Sequence, residues 1–143
     1  MWHTACCMAA ITIATVAIGA ERPEVGKVVP DFELNDLQGM KHSLAETAKK
    51  GPVVLMVYPG PSKGLQEHAA EFVSGKTLPA DFHMLIDPDY TFTNAYDLRW
   101  EAKNETAYPS TFVIGKDRKV LFSKISKSHG DRAAAEDVLK ALP

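Results

Sequence analysis

Val53 to Tyr58 is an unbroken apolar run rich in β-branched residues, the pattern of a strand buried on both faces of a parallel sheet. Pro59-Gly60-Pro61 breaks it. Ser62 is then placed to cap a helix in which Leu65, Ala69, Phe72 and Val73 form one apolar stripe. Before this unit, Pro30 to Asp36 alternates apolar and polar residues, and Leu37-Gln38-Gly39 turns the chain into Met40-Lys41-His42. That pattern predicts an N-terminal β-hairpin. Ser43-Leu44-Ala45-Glu46 is a capping box for a brief helix that Gly51-Pro52 stops.

Downstream, Phe82 to Ile86 predicts a second strand, ended by Asp87-Pro88-Asp89. A helix over 91–98 is expected to carry Phe92, Ala95 and Tyr96 inward. Thr111 to Ile114 and Val120 to Ile125 flank a polar turn and predict antiparallel neighbours. Asp131 is placed to cap a last helix whose buried face is Ala134, Ala135, Val138, Leu139 and Leu142. Alternating strands and helices closed by a hairpin and a helix predict an α/β fold, a mixed central sheet with helices on both faces.

The chain of 143 residues suits one domain with a sizeable core. A formal net charge of −2 with scattered lysines gives no argument for nucleic acid. Both cysteines, Cys6 and Cys7, stand in the first ten residues, within a small-residue apolar stretch from Ala5 to Ala20. That stretch is shorter than the ~20 residues of a membrane span and suits a signal peptide cleaved near Ala20. The expected organisation is a signal peptide (or short anchor) at 1–20 and one domain at 21–143, secreted or periplasmic. Cleavage leaves no thiol and no membrane segment in the mature form.

The order of motifs resembles the alkyl hydroperoxide reductase/thiol-specific antioxidant family, the peroxiredoxin-like redoxins of thioredoxin fold. Pro30-Asp31-Phe32-Glu33-Leu34 with Gly39 and Ser43-Leu44 is similar to the family's opening hairpin. Pro52-Val53-Val54-Leu55 with Tyr58-Pro59 is similar to its central strand. Tyr108-Pro109-Ser110-Thr111-Phe112 resembles the segment with the family's cis-proline, which would be Pro109. The resemblance implies a thiol-dependent antioxidant oxidoreductase, but the matching positions hold no cysteine. Against the peroxidatic Pro-x-x-x-Thr-x-x-Cys pattern begun at Pro59, the last two motif positions are Lys63 and Gln66. Against Cys-x-x-Cys they are Ser62 and Leu65. A serine hydroxyl stays protonated where a cysteine thiol at a helix N-terminus becomes a thiolate.

Two readings follow. The first is a non-catalytic binding or scaffold protein, taking a protein segment or a small anion in a cleft of Pro59, Ser62, Lys63, Gly64, Tyr108, Pro109 and Arg99. The second is an antioxidant oxidoreductase, thiol peroxidase or disulfide reductase, that retains Cys6 and Cys7. No cofactor and no metal are expected, because His42, His68, His83 and His129 show no ligand spacing. A Ser62–His129–Asp87 triad is conceivable but lacks a nucleophile-elbow motif.

Overall fold

The computed structural model describes residues 20–61, 63–103 and 105–143. The opening hairpin is β1 (Glu33–Asp36) against β2 (Lys41–Ser43) in antiparallel register, with Leu34 opposite His42. Asp36 holds its turn, accepting from the Gln38 and Met40 N–H groups at 2.9 Å each. Helix α1 (Leu44–Lys50) follows, capped by Ser43, whose Oγ accepts from Glu46 N–H at 3.3 Å. The reciprocal half of the expected box is replaced: the Glu46 carboxylate pairs with Lys49.

Strand β3 (Val53–Val57) leads through the Pro59–Pro61 loop to α2 (Leu65–Val73). Then come β4 (Leu85–Ile86), α3 (Thr91–Ala95), β5 (Ser110–Ile114), β6 (Val120–Ile125) and α4 (Ala135–Lys140). The strands form two antiparallel sheets of three, ordered β2-β1-β4 and β3-β5-β6. Phe112, Val113 and Ile114 of β5 are fully buried, as befits the middle strand of its sheet. Around them lie Val29, Leu44, Phe92, Tyr96, Leu98 and Val120. Phe92 packs on Phe32 and Tyr96 with centroids at 4.8 and 4.6 Å. The Tyr96 hydroxyl donates to the Pro30 carbonyl at 2.8 Å, and burial pushes its ionisation well above the ordinary range.

Several local expectations are corrected. Val53–Tyr58 is not buried on both faces: β3 is an edge strand paired only with β5, and Val54, Met56 and Tyr58 are exposed. Side chains alternate across a strand, so one face of β3 packs on the core and the other does not. The strand expected at Phe82–Ile86 shrinks to Leu85–Ile86 and joins β1 rather than β3. Helix α3 stops at Ala95, three residues early, and Asp97 then takes a positive φ of 49°. Helix α4 begins at Ala135 behind Ala134, not at Asp131. Asp131 instead accepts from Lys124 Nζ at 2.6 Å and from the Lys127 N–H. The expected buried face of α4 is only half covered at Val138 and Leu142, and Leu139 is 66% exposed.

The carboxylates that tie loops set the acid sensitivity. The Lys124 contact, then the Lys127 N–H, hold Asp131 below the usual 3.8. The His42 contact, with help from the Met40 and Gln38 N–H groups, does the same for Asp36. A depressed folded-state value means the unfolded chain binds these protons first as pH falls. Stability from both groups is therefore present above about pH 4 and lost below it. Urea unfolding should show a lower midpoint at pH 3 than at pH 7. Asp131→Asn should flatten part of that difference, and an unchanged difference would contradict this assignment.

Candidate functional site

The junction expected from the sequence forms at the C-terminal end of β3. Val57 pairs with Ser110, so the ladder brings Tyr58 beside Pro109. Thr106 is buried, and its Oγ1 donates to the Gly60 carbonyl at 2.8 Å, tying the loop before α2 to the loop before β5. The first turn of α2 and the proline loop therefore share one end of the β3-β5-β6 sheet. Ser62 lies outside the described residues. Helix α2 starts at Leu65 with Gly64 at the cap position, at φ 66°. Left-handed backbone is what glycine adopts without a Cβ penalty.

Pro109 is fully buried and follows a trans peptide bond, since no described bond is cis. The expected cis form is therefore corrected; trans is the lower-energy state of an X–Pro bond by about 0.5–1 kcal/mol. The backbone around Pro109 is already engaged. Its carbonyl accepts from Ser126 N–H at 2.8 Å, the Tyr108 N–H donates to Leu98, and the Tyr108 carbonyl accepts from Ser110 Oγ. What this end of the sheet presents is side chains rather than free backbone.

Those side chains form two linked aromatic groups. Trp100 stacks on Tyr108 at 5.1 Å and 13°, with His129 at 5.6 Å on Trp100 and the Arg22 guanidinium 5.6 Å over Tyr108. Tyr58, 61% exposed, lies 5.3 Å from Phe72 of α2 and beneath Arg132. Arg132 Nε also donates to the His129 carbonyl at 3.0 Å, which connects the groups. Lys63 and Gly64 are exposed before α2. Arg99 is turned elsewhere: its guanidinium lies 3.8 Å from the Tyr90 ring centroid and donates to the Thr106 carbonyl at 2.5 Å. It braces the Thr106 loop instead of facing α2.

The His129 and Asp87 side chains of the conceivable triad are each engaged elsewhere. The Asp87 carboxylate accepts from the Phe92 and Thr93 N–H groups and the Thr93 hydroxyl, fixing the start of α3. His129 Nε2 is 2.8 Å from Glu105. Among the described residues no three His, Cys, Asp or Glu side chains are grouped to hold a metal, and no helix is long and apolar enough to cross a membrane. Cys6 and Cys7, and the expected signal peptide, lie outside the described residues. Trp100, His129 and Tyr58 carry more of this surface than the sequence pattern assigned them. Their signal is aromatic residues in the segments flanking two proline loops.

An opening hairpin, a strand–proline loop–helix unit and a buried proline leading a final hairpin define an α/β protein of thioredoxin-like fold. The Redoxin family model matches residues 62–139, more than half of the chain, and the chain belongs to that family. It is similar in structure to the peroxidoxin BcpB from Mycobacterium tuberculosis, at 25% identity and a TM-score of 0.65 over 84% of this chain and 96% of that one. It also resembles a peroxiredoxin-like protein from Aquifex aeolicus, at 16% identity and a TM-score of 0.59 over 86% and 87%. No curated protein matches its sequence.

Proposed function

We propose that this protein is an exported redoxin that works without thiol chemistry, binding a protein segment at the aromatic surface beside the Pro59–Gly60 and Tyr108–Pro109 loops. One observation carries it: the family positions for sulfur, in the loop and first turn of α2, are Ser62, Leu65 and Gln66. A thiol peroxidase needs a thiolate to attack the O–O bond, and hydroxyl, alkyl and amide groups do not supply one. What stays in place is a rigid proline-loop junction with rings suited to peptide side chains. Trp, Tyr and Arg are the residues that dominate protein interfaces. A small anion at Lys63 and the α2 N-terminus is the lesser form of the same reading.

The second reading, an antioxidant oxidoreductase using Cys6 or Cys7, makes the opposite prediction about sulfur. The test is peroxide consumption with a dithiol reductant by the full chain and by a Cys6→Ser/Cys7→Ser double variant. The binding role predicts no turnover above the uncatalysed rate for either. Turnover lost in the double variant would establish the second reading.

A further inference from the structure

The two aromatic groups beside the proline loops differ in how their cations are matched. Over the Trp100–Tyr108 stack, the Arg22 guanidinium is neutralised by Asp97 at 2.8 Å. Over the Tyr58–Phe72 pair lie two cations, the Arg132 guanidinium 5.3 Å from the Tyr58 ring and Lys76 Nζ 4.7 Å from the Phe72 ring. Neither has a carboxylate within ion-pair distance among the described residues. Asp131, next to Arg132 in sequence, is engaged by Lys124 Nζ at 2.6 Å, and Glu105 by His129 Nε2 at 2.8 Å. Glu67 and Glu71 of α2 are exposed and stand off its stripe of Leu65, Ala69 and Phe72. A chain of net charge −2 therefore carries a locally positive aromatic patch.

Both cations are tethered. Arg132 Nε donates to the His129 carbonyl at 3.0 Å, and Lys76 Nζ donates to the Phe72 carbonyl. Among the described residues that is the only hydrogen bond of the Arg132 guanidinium, which leaves its two terminal nitrogens for a ligand. A planar fork fixed at Nε and resting on a ring is prearranged for the two oxygens of a carboxylate. The floor around it is apolar and exposed: Tyr58, Phe72, and Met56 two positions before Tyr58 on the same face of β3.

We propose that the segment bound at this surface is acidic, an extended stretch of another protein that sets an Asp or Glu carboxylate on the Arg132 fork. The inference rests on the binding role proposed above and names its partner's chemistry. Side chains two apart in an extended segment face the same way, so an apolar residue two positions from the carboxylate lies on Tyr58, Phe72 and Met56. Lys76 adds positive charge at the Phe72 end and favours a second acidic residue there. Complementary charge of this kind decides which segment is chosen and how fast it arrives. Single-stranded nucleic acid also joins stacked rings to cations. It follows a continuous basic groove, whereas the positive charge here stops where Asp97 neutralises Arg22.

The experiment is selection from a random-peptide display library on the immobilised full chain, and the expected result is an excess of Asp and Glu among the retained peptides. One retained peptide, synthesised with a fluorescent label, should bind more weakly as salt rises. Arg132→Glu should weaken it by about tenfold or more, the loss of a charged hydrogen bond, and should shift the selection toward Lys and Arg. Arg132→Lys keeps the charge without the fork and should fall between. Arg132 and Lys50 are both exposed, so their variants are expected to fold, which circular dichroism checks. Lys50→Glu makes the same kind of change on α1 and should leave binding unaltered; a loss as large as that of Arg132→Glu would overturn the inference. Peptides retained without an acidic excess would overturn the acidic partner and leave the binding role standing. Retention of no peptide, or of labelled oligothymidine alone, would overturn both.

Discussion

Phe112→Ala is expected to lower the unfolding free energy by about 3–5 kcal/mol, a third or more of the roughly 5–15 kcal/mol that holds an ordinary domain folded, except at the top of that range. Phe112 is at the centre of β5, paired to Leu55 on one side and Ser123 on the other, with no exposed surface. Its ring fills the core formed with Tyr96, Leu98 and Ile114. Because β5 is the middle strand, the cavity opens where its sheet cannot close without moving β3 and β6 together. The outer helix supplies the contrast. Leu139 of α4 is 66% exposed, and Leu139→Ala should change stability by no more than about 0.5 kcal/mol. Urea unfolding of both variants at pH 7 measures the difference. Similar midpoints would mean that α4, rather than β5, is a main support.

Gln66→Cys is expected to create a reactive thiol at the start of α2. Gln66 is exposed in the first turn of α2, one residue after its first position. A thiol there would face unpaired N–H groups and the positive end of the helix dipole, with Lys63 nearby in sequence. Its ionisation should fall below the free-cysteine value of about 8.5. Alkylation by iodoacetamide, followed from pH 5 to 9 in a Cys6→Ser/Cys7→Ser background, should show the thiolate forming at least about one pH unit early. Peroxide should oxidise this thiol. Arg99 is held by Tyr90 and Thr106, so its guanidinium does not add to the effect. A thiol that titrates like a free cysteine would show that the helix start no longer has the character of the family site.

Elements with a complete local signature were legible from sequence. The opening hairpin has its alternation and a Gly39 turn at φ 80°, and α1 has its Ser43 cap and Gly51 stop. The β5–β6 hairpin has two β-branched runs around a polar turn. Elements whose form depends on a distant partner were not. Val53–Val57 looks like a fully buried strand, because composition reports what could be buried and not whether a neighbour arrives to bury it. Its exposed Met56 and Tyr58 follow from the absence of a second ladder. Asp131 reads as a helix cap, yet Lys124 on β6 and the Lys127 N–H take its carboxylate first.

The candidate site divides the same way. The β3–β5 register, with Val57 opposite Ser110, brings the loops that hold Pro59 and Pro109 to one end of the sheet. The role of Arg99 was not legible, because its partners Tyr90 and Thr106 come from separate loops. The stack of Trp100 on Tyr108, and Arg132 over Tyr58, likewise join segments that sequence spacing keeps apart.

The central claim is that a redoxin scaffold operates here with no sulfur at its site. Peroxide consumption by the folded, unaltered chain with dithiol in excess, beside its Cys6→Ser/Cys7→Ser variant, tests it most directly. The account predicts for both a rate equal to that of buffer and reductant alone; sustained turnover by the unaltered chain would contradict it.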